Sequence, residues 1–250
     1  MARSTAPRSR RERPAKPPLS RDAIVAAALD IARTEGVEAL SMRRVAQALD
    51  TGAASLYVYV ADRQELQELV FDAAIATIEL PAIEPDRWRE QLKELGRRMV
   101  KMMADDFPGM AVLAMSHIPS GDNAMRAVEA MLTLLKAGGA SDQAAAYAGD
   151  LLSLYVTAIA YEESLYRTLY KDPEHEQREV ARLAERFAAL DPQRFPTMAA
   201  LGPAMTRGDG GERFELGLDV LINGLLATPM EGRLTHSPDA PGGTAVSRSR

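Results

Sequence analysis

Two adjacent arginines, Arg43 and Arg44, carry side chains suited to nucleic-acid recognition. A guanidinium can bond guanine O6 and N7 together, or it can bind a phosphate oxygen. A few residues later, the methyl groups of Ala53 and Ala54 suit the C5-methyl group of thymine, and the hydroxyl of Ser55 can donate or accept a hydrogen bond. If the chain presents these side chains on one surface, that surface can read DNA.

The segment around these residues predicts two short helices joined by a tight turn. Ser41 can cap the first helix through its hydroxyl. Asp50-Thr51-Gly52 breaks that helix, because Asp and Gly tolerate a left-handed backbone better than most residues. A second helix, Ala53 to Tyr59, starts in small residues that can come close to a surface. This arrangement is a helix-turn-helix, whose second helix normally enters the major groove of DNA.

Capping signals predict a helix on each side of this motif. Ser20 caps the helix before it, and Gly36 ends that helix. Asp62-Arg63-Gln64-Glu65 is a capping-box pattern that begins a connector helix running to about Leu80. Arg63 lies in the first turn of that helix, where a side chain and backbone N–H groups can reach a phosphate together.

The runs S-M-R-R-V-A-Q-A-L, S-L-Y-V-Y-V and D-R-Q-E-L resemble the DNA-binding domain of the tetracycline-repressor (TetR) family. The resemblance covers Leu19 to about Leu80 well and continues more loosely through Asp106–Glu163 and Phe214–Leu226. It implies an all-α, homodimeric, non-enzymatic transcription regulator. Such a protein has an N-terminal helix-turn-helix domain and a larger helical domain for effector binding and dimerisation.

The resemblance also assigns DNA-binding positions. Arg43 matches a position that reaches a base edge, although a phosphate contact is the alternative. Ala53, Ala54, Ser55 and Tyr57 match exposed reading positions of the recognition helix. We expect Tyr57 and Tyr59 to touch the DNA backbone or a phosphate, unless one of them packs inward. Many members have Gly where Asp50 stands. The predicted DNA-binding residues are Arg43, Arg44, Ala53, Ala54, Ser55, Tyr57, Tyr59 and Arg63.

Charge is distributed unevenly along the chain of 250 residues, whose formal net charge is −5. Residues 1–63 contain 11 Lys/Arg and 7 Asp/Glu, whereas the remainder contains 19 and 28. A basic front and an acidic body suit a protein that aims one end at phosphate.

Cysteine is absent, so neither a disulfide nor a thiol nucleophile is available. We expect a cytoplasmic protein, since no run of about 20 apolar residues suggests a membrane span.

Four regions follow from these patterns. Residues 1–19 form a disordered basic arm with six basic residues, which is either a solvated tail or a segment that tracks the minor groove. Residues 20–80 form the DNA-binding domain with its connector helix. Residues 81–227 form the helical effector-binding and dimerisation domain, and residues 228–250 form a disordered tail. Apolar spacing predicts the helices of the third region: one from Trp88, then Met110–Met115, one capped by Asp122 or Asn123, Ser141–Tyr170, 173–190 and Glu212–Ala227, with a loop at 191–211.

Seven of the twelve methionines fall between Met99 and Met131. Methionine suits surfaces that accept varied ligands, although ordinary core packing is the alternative. We predict an apolar effector pocket, with His117, Tyr155 and Glu162 as its polar groups. The predicted lining is Met99, Met102, Met103, Phe107, Met110, Met115, His117, Met131, Tyr155 and Glu162.

No cofactor and no metal site are expected. By resemblance, a histidine and a partner glutamate hold a ligand-bound metal in the tetracycline repressor. Glu162 aligns with that glutamate, but His117 is two residues out of register. The segment around it is more similar to relatives without metal, so His117 is better interpreted as a helix-end residue.

These observations predict a homodimeric repressor that a small lipophilic molecule releases from a palindromic double-stranded DNA operator. The helices at 141–170 and 214–227 each have more apolar surface than one partner needs, and in the family this pair forms the twofold interface.

One alternative is a ligand-independent architectural or adaptor protein. An enzyme is the other, but the chain has no G-x-S-x-G motif and only three histidines. Sequence does not name the effector, the operator or the target genes, and it does not separate repression from activation.

Overall fold

The computed structural model of the protein describes residues 18–170, 172–207 and 210–228. Regular structure within these residues is helical throughout, as predicted. The predicted basic arm and C-terminal tail lie outside the described residues, except for residues 18, 19 and 228. The helices are α1 (Arg21–Glu35), α2 (Met42–Ala48), α3 (Ala53–Leu56), α4 (Arg63–Ile75), α5 (Trp88–Lys101), α6 (Met110–Ser116), α7 (Asp122–Ala137), α8 (Asp142–Leu169), α9 (Pro173–Ala188), α10 (Pro196–Met205) and α11 (Gly210–Ala227).

Local caps start four of these helices. Ser20, Ser41, Asp62 and Ser141 each accept the backbone N–H of the residue three positions on, at 2.9 to 3.2 Å. Each bond satisfies an N–H group that has no acceptor within its helix. The predicted starts of α1, α2, α4 and α8 are therefore confirmed.

The chain divides into two compact units. The first contains the described residues up to Ile78 together with Lys101–Met125, and the second contains Glu79–Val100 and the described residues from Arg126 onward. Segment 101–125 joins the first unit through specific contacts. Val37 donates its backbone N–H to the carbonyl of Pro108 at 3.0 Å, and the Arg33 guanidinium lies 5.1 Å from the centre of the Phe107 ring.

The predictions for the connector helix and for the loop at 191–211 were wrong. The connector helix α4 ends at Ile75 and not near Leu80. The backbone N–H groups of Thr77 and Ile78 donate to the carbonyls three residues back, at 3.0 and 2.9 Å, so a turn replaces the helix there. The predicted loop at 191–211 contains α10, which begins at Pro196. Proline fits the first turn of a helix, where its missing N–H is not needed.

A π-helical turn, Met102–Asp106, follows α5. The backbone N–H of Phe107 donates to the carbonyl of Met102 at 3.0 Å, which closes the wider ring. As a result Met102, Met103 and Ala104 are all buried. A regular α-helix would turn three consecutive residues toward different sides.

Helix α8 is apolar on more than one face. Its buried face is made of Ala148, Leu152, Val156 and other small or branched residues. A second group of apolar and aromatic side chains, Tyr147, Leu151, Leu154 and Leu165, is 42 to 59% exposed. Among the described residues, α8 alone is long and apolar enough to cross a membrane, and 44% of its most apolar stretch is buried inside the protein. Core helices of soluble proteins have the same properties.

Candidate functional site

The turn between α2 and α3 depends on the left-handed backbone of Asp50, whose φ is 48°. Asp adopts this region more readily than most residues with a Cβ. Immediately after it, Thr51 donates its backbone N–H to the carbonyl of Ala46 at 2.9 Å, which fixes the angle between the two helices. Fully buried Leu56 anchors α3 to the core. Aspartate thus serves at the position where many family members have glycine.

The outer side of this motif carries most of the predicted DNA-binding residues. Arg43, Ala54 and Ser55 are exposed, and Ala53 is half-buried. Tyr57 is 53% exposed and lies in the turn that follows α3, because α3 ends at Leu56 and not at Tyr59. These side chains share a short stretch of chain and face away from the core.

Val58 was missed by sequence reasoning. It is 80% exposed, between Tyr57 at 53% and Tyr59 at 38%. Neither tyrosine packs inward. Three neighbouring apolar or aromatic side chains therefore form a surface beside α3, and the alternation of Tyr, Val, Tyr and buried Val60 in the sequence gives no sign of this.

Arg44 is held by an acidic partner at the end of α1. Its Nε donates to Glu35 Oε2 at 3.0 Å, and its Nη2 donates to the other carboxylate oxygen. This bidentate hydrogen bonding raises the pKa of Arg44, and the hydrogen bond from Arg44 lowers the pKa of Glu35. A phosphate would have to share or replace Glu35. Arg43, in contrast, has no ion pair in the described part of the chain.

Two carboxylates already accept backbone N–H groups at the start of α4. Asp62 caps the helix, and Glu65 accepts the backbone N–H of Ala61 at 2.5 Å. Glu65 also pairs with Arg21 on α1, which ties α4 to the first helix. Arg63 remains exposed at the first position of α4. This is the location that the sequence predicts for a phosphate contact.

The predicted effector-binding residues separate into two groups. In the first unit, Met102, Met103, Phe107 and Met110 are buried in the core, with exposed fractions of 0 to 1%. Met115 lies at the surface and is 65% exposed. These five side chains therefore do not line one open pocket.

His117 ends α6 as a helix-end residue. Its Nδ1 lies 3.1 Å from the Leu113 carbonyl and 3.0 Å from the Ser116 hydroxyl. Both contacts are local to the last turn of α6. A cavity of about 230 Å³ borders His117, and its lining mixes charged residues such as Arg21 and Glu65 with apolar ones such as Ile118.

The second unit holds a small apolar cavity of about 20 Å³. Met99 and Met131, both predicted, lie in its wall. Ser153 is the one residue in that wall with a polar side chain. The complete lining is Leu92, Leu95, Gly96, Met99, Met131, Leu152, Ser153, Val156 and Leu218. The cavity is thus bordered by α5, α7, α8 and α11.

Tyr155 and Glu162 connect α8 to the start of α11. The Tyr155 hydroxyl donates to the carbonyls of Arg213 at 3.2 Å and Phe214 at 3.3 Å, and its ring stacks on Phe214 with centroids 5.8 Å apart. Burial raises the pKa of the Tyr155 hydroxyl. Glu162 pairs with Arg213. These two polar groups therefore have structural partners in this conformation.

A larger cavity, of about 370 Å³, lies in the second unit between segment 79–84 and α5. Buried Gln91 holds that segment by accepting the N–H of Glu84 at 2.9 Å and donating to the carbonyl of Ala82 at 2.6 Å. Four carboxylates and two arginines are in the wall: Glu79, Glu84, Glu90, Glu94, Arg87 and Arg98. This lining disfavours a lipophilic ligand.

Helices α8 and α11 each expose an apolar face. On α8 it includes Leu151, Leu154 and Tyr161, and on α11 it includes Leu216 and Val220, which is 61% exposed. Leu218, in contrast, is buried within the subunit at 2% exposure. The sequence pattern alone does not distinguish these two faces of α11.

The fold and this site define a helix-turn-helix DNA-binding protein with a second helical unit. Residues 24–70 match the model for bacterial regulatory proteins of the tetR family, and residues 80–228 match the model for the tetracyclin repressor-like C-terminal domain. The chain belongs to the TetR family. It is a DNA-binding transcription regulator and not an enzyme.

Relatives support this assignment over most of the chain. The HTH-type transcriptional repressor DrrR1 of Streptomyces coeruleorubidus is 34% identical over 229 residues, which cover 89% of this chain and 83% of the relative. An HTH-type transcriptional regulator of Saccharopolyspora erythraea is 31% identical, with 85% and 87% coverage. The structure of the TetR family protein ActR of Streptomyces coelicolor in complex with actinorhodin is 42% identical, covers 86% of this chain and 99% of ActR, and superposes with a TM-score of 0.77.

Proposed function

We propose that this regulator is a homodimeric repressor, and that a small lipophilic molecule releases it from a palindromic operator. The observation that carries the proposal is that the two units present different kinds of binding feature. The first unit exposes Arg43, Ser55 and the Tyr57–Tyr59 surface, and the second contains a small apolar cavity. The exposed surface of the first unit suits DNA, and the apolar cavity of the second unit suits an uncharged ligand.

Three sets of contacts would hold the operator. Arg43 would read a base edge in the major groove, with the methyl groups of α3 against thymine. Arg63 and the first N–H groups of α4 would bind a phosphate. Tyr57 and Tyr59 would contact the DNA backbone beside them. Arg44 would contribute only after sharing its guanidinium with Glu35 and a phosphate.

The effector would enter by expanding the apolar cavity. Ligand sites usually measure about 300 to 1,000 Å³, whereas this cavity is about 20 Å³. Met99 and Met131 can change rotamer at little cost, since methionine is unbranched and flexible. ActR, a relative, has been solved with actinorhodin and with (S)-DNPA. By that similarity, a polycyclic compound is the class of effector that we propose for this chain.

The exposed faces of α8 and α11 would form the twofold interface. An isologous interface suits a protein that binds two equivalent half-sites. Tyr155 packs α8 against α11 within the subunit, because its hydroxyl bonds to two carbonyls at the start of α11. The two helices would then meet the partner subunit as one rigid surface.

Footprinting on the DNA that flanks the gene of this protein tests the proposal. We expect one protected site with two half-sites in inverted repeat. Addition of actinorhodin, followed by related polycyclic quinones, should remove the protection. Protection that is not palindromic, or no protection at all, would contradict the proposal.

The small volume of the cavity favours one other function. A regulator whose second unit stays closed would be a ligand-independent architectural or adaptor protein. It would give the same footprint, but no compound would alter the protection. A melting temperature that rises with the concentration of an added compound would count against this alternative.

A further inference from the structure

The N-terminus of α7 is capped by a side chain of another helix. Asp72 on α4 accepts the backbone N–H groups of Asn123 at 3.0 Å and Ala124 at 2.9 Å through Oδ1. Its Oδ2 accepts Nδ2 of Asn123 at 2.7 Å. The first N–H groups of a helix have no acceptor within it, and the helix dipole favours an anion there. Asp72 therefore caps the N-terminus of α7, as a Ser or Asp next to the helix caps α1, α2, α4 and α8.

Gly121 allows α4 to come this close. A Cβ at position 121 would lie 2.1 Å from Asp72 Oδ1 and 2.7 Å from Asp72 Cβ. No real side chain tolerates such distances, so any other residue would displace the carboxylate. Glycine at 121 and aspartate at 72 thus form one interlock, which we call the Asp72 clamp.

Helix α7 extends from this clamp to the apolar cavity. Ala124 receives the clamp, and Met131 lies in the cavity wall seven residues further along the same helix. At about 1.5 Å per residue, this is a distance of about 10 Å along the helix axis. At its other end, α4 begins with Arg63 on the DNA-binding face. Arg63 and Met131 thus belong to two helices, α4 and α7, that are hydrogen-bonded to each other at Asp72.

We propose that Asp72 is the positioning residue that couples operator binding to the cavity. The inference rests on the proposed function and names the contact through which it works. A helix held at its N-terminus moves with the carboxylate that caps it. A change in α4 on DNA therefore alters α7 beside the cavity, and by linkage a ligand in the cavity alters α4. Without the clamp each unit keeps its own binding site, but the two sites no longer influence each other.

Amide hydrogen exchange of the full chain, with and without footprinted operator DNA, tests this without knowledge of the effector. In the wild type, we expect operator to slow exchange in peptides covering residues 127–135 by about fivefold, the lower end of ordinary allosteric coupling. Asp72→Ala and Gly121→Ala should both bind operator and lose this slowing. Asp72→Asn keeps the acceptor for the two backbone N–H groups and loses the bond to Nδ2 of Asn123. Asp72→Asn should lose part of the operator-dependent slowing of exchange. It therefore still tests the proposal if the alanine variants do not fold.

Ser141→Ala is the matched control. It removes a helix cap of the same kind, at α8, but that cap is local and does not involve α4. The control should keep the operator-dependent slowing at 127–135. Slowing that survives in folded Asp72→Ala, or that is absent from a wild type bound to operator, would overturn the inference. A wild type that binds no DNA would refute the proposed function itself, and this inference with it.

Discussion

Gly96 offers the sharpest test of the cavity, because an added methyl group would point toward its wall. A Cβ at this position would lie 3.6 Å from Val156 and 3.7 Å from both Leu218 and Phe214. These are ordinary contact distances, so Gly96→Ala fits without displacement. The new methyl group would occupy much of a cavity of about 20 Å³.

Two contributions set the expected stabilisation by Gly96→Ala. Replacing glycine by alanine inside a helix stabilises by about 1 kcal/mol, and burying one methyl group adds up to about 0.8 kcal/mol. The free energy of unfolding should therefore rise by about 1.5 kcal/mol, which corresponds to about 3 to 6 °C in melting temperature for a chain of this size. Operator affinity should not change, since Gly96 lies in the second unit.

The effector response should weaken in the same variant. A methyl group in the path of a ligand costs about tenfold or more in affinity. In a titration of labelled operator–repressor complex with effector, the midpoint for release should therefore shift upward by about that factor. If the melting temperature rises as expected but the release midpoint stays at its wild-type value, the cavity is not where the effector binds.

Gly217→Ala is the matched control, because the same chemical change meets a different neighbour. A Cβ there would lie 2.0 Å from the Tyr155 hydroxyl oxygen. The tyrosine would have to move and give up its bonds to the start of α11, so this variant should lose about 1 to 3 kcal/mol, as overpacking does. If both variants were stabilised, helix propensity alone would explain Gly96→Ala.

Three further predictions concern an ion pair, a base contact and the interface. The hydrogen bonds from Arg97, at 2.5 and 3.1 Å, lower the pKa of Glu215 to about 2 from its ordinary 4.5. The stabilisation that ionised Glu215 adds to the folded protein is therefore present above pH 4.5 and lost as the pH falls toward 2. Because Glu215 is 34% exposed, Glu215→Gln should cost only about 1 kcal/mol at pH 7 in urea unfolding. That difference should shrink below pH 4.5, and a difference independent of pH would contradict the assignment. Arg43→Ala should lose about 1 to 3 kcal/mol of operator affinity and relax the preference at one position of each half-site, whereas uniform weakening on all sequences would indicate a phosphate contact. Val220→Glu should give a folded monomer in sedimentation with weak operator binding, because an unpaired charge cannot be buried in an apolar interface, and a dimer at micromolar concentration would place the interface elsewhere.

Local signals in the sequence predicted most of the helix starts. Ser20, Ser41, Asp62 and Ser141 cap the helices that follow them, because a cap needs only a hydroxyl or carboxylate three residues from its donor. The helix-turn-helix follows in the same way from Ser41, the turn at Asp50 and the apolar residues of α3. The family resemblance added the eight DNA-binding positions, which remain predictions.

Contacts between distant residues could not be predicted in this way. Glu35 and Arg44 pair across a helix boundary, and Asp72 caps a helix that begins fifty positions later at Asp122. Neither pairing has a local pattern. Leu218 and Val220 are both apolar residues of α11, and only packing decides that the first faces its own subunit and the second faces outward. The pocket prediction used residue type without position, so it combined core methionines with Met99 and Met131.

The direct test of the central claim is the affinity of the dimer for its footprinted operator, measured by fluorescence anisotropy over a range of effector concentrations. Ligand coupling predicts that a polycyclic effector raises the operator dissociation constant by about 5-fold to 150-fold and then reaches a plateau. By reciprocity, the operator must weaken effector binding by the same factor. An operator affinity that stays constant while the compound demonstrably binds the protein would contradict the account.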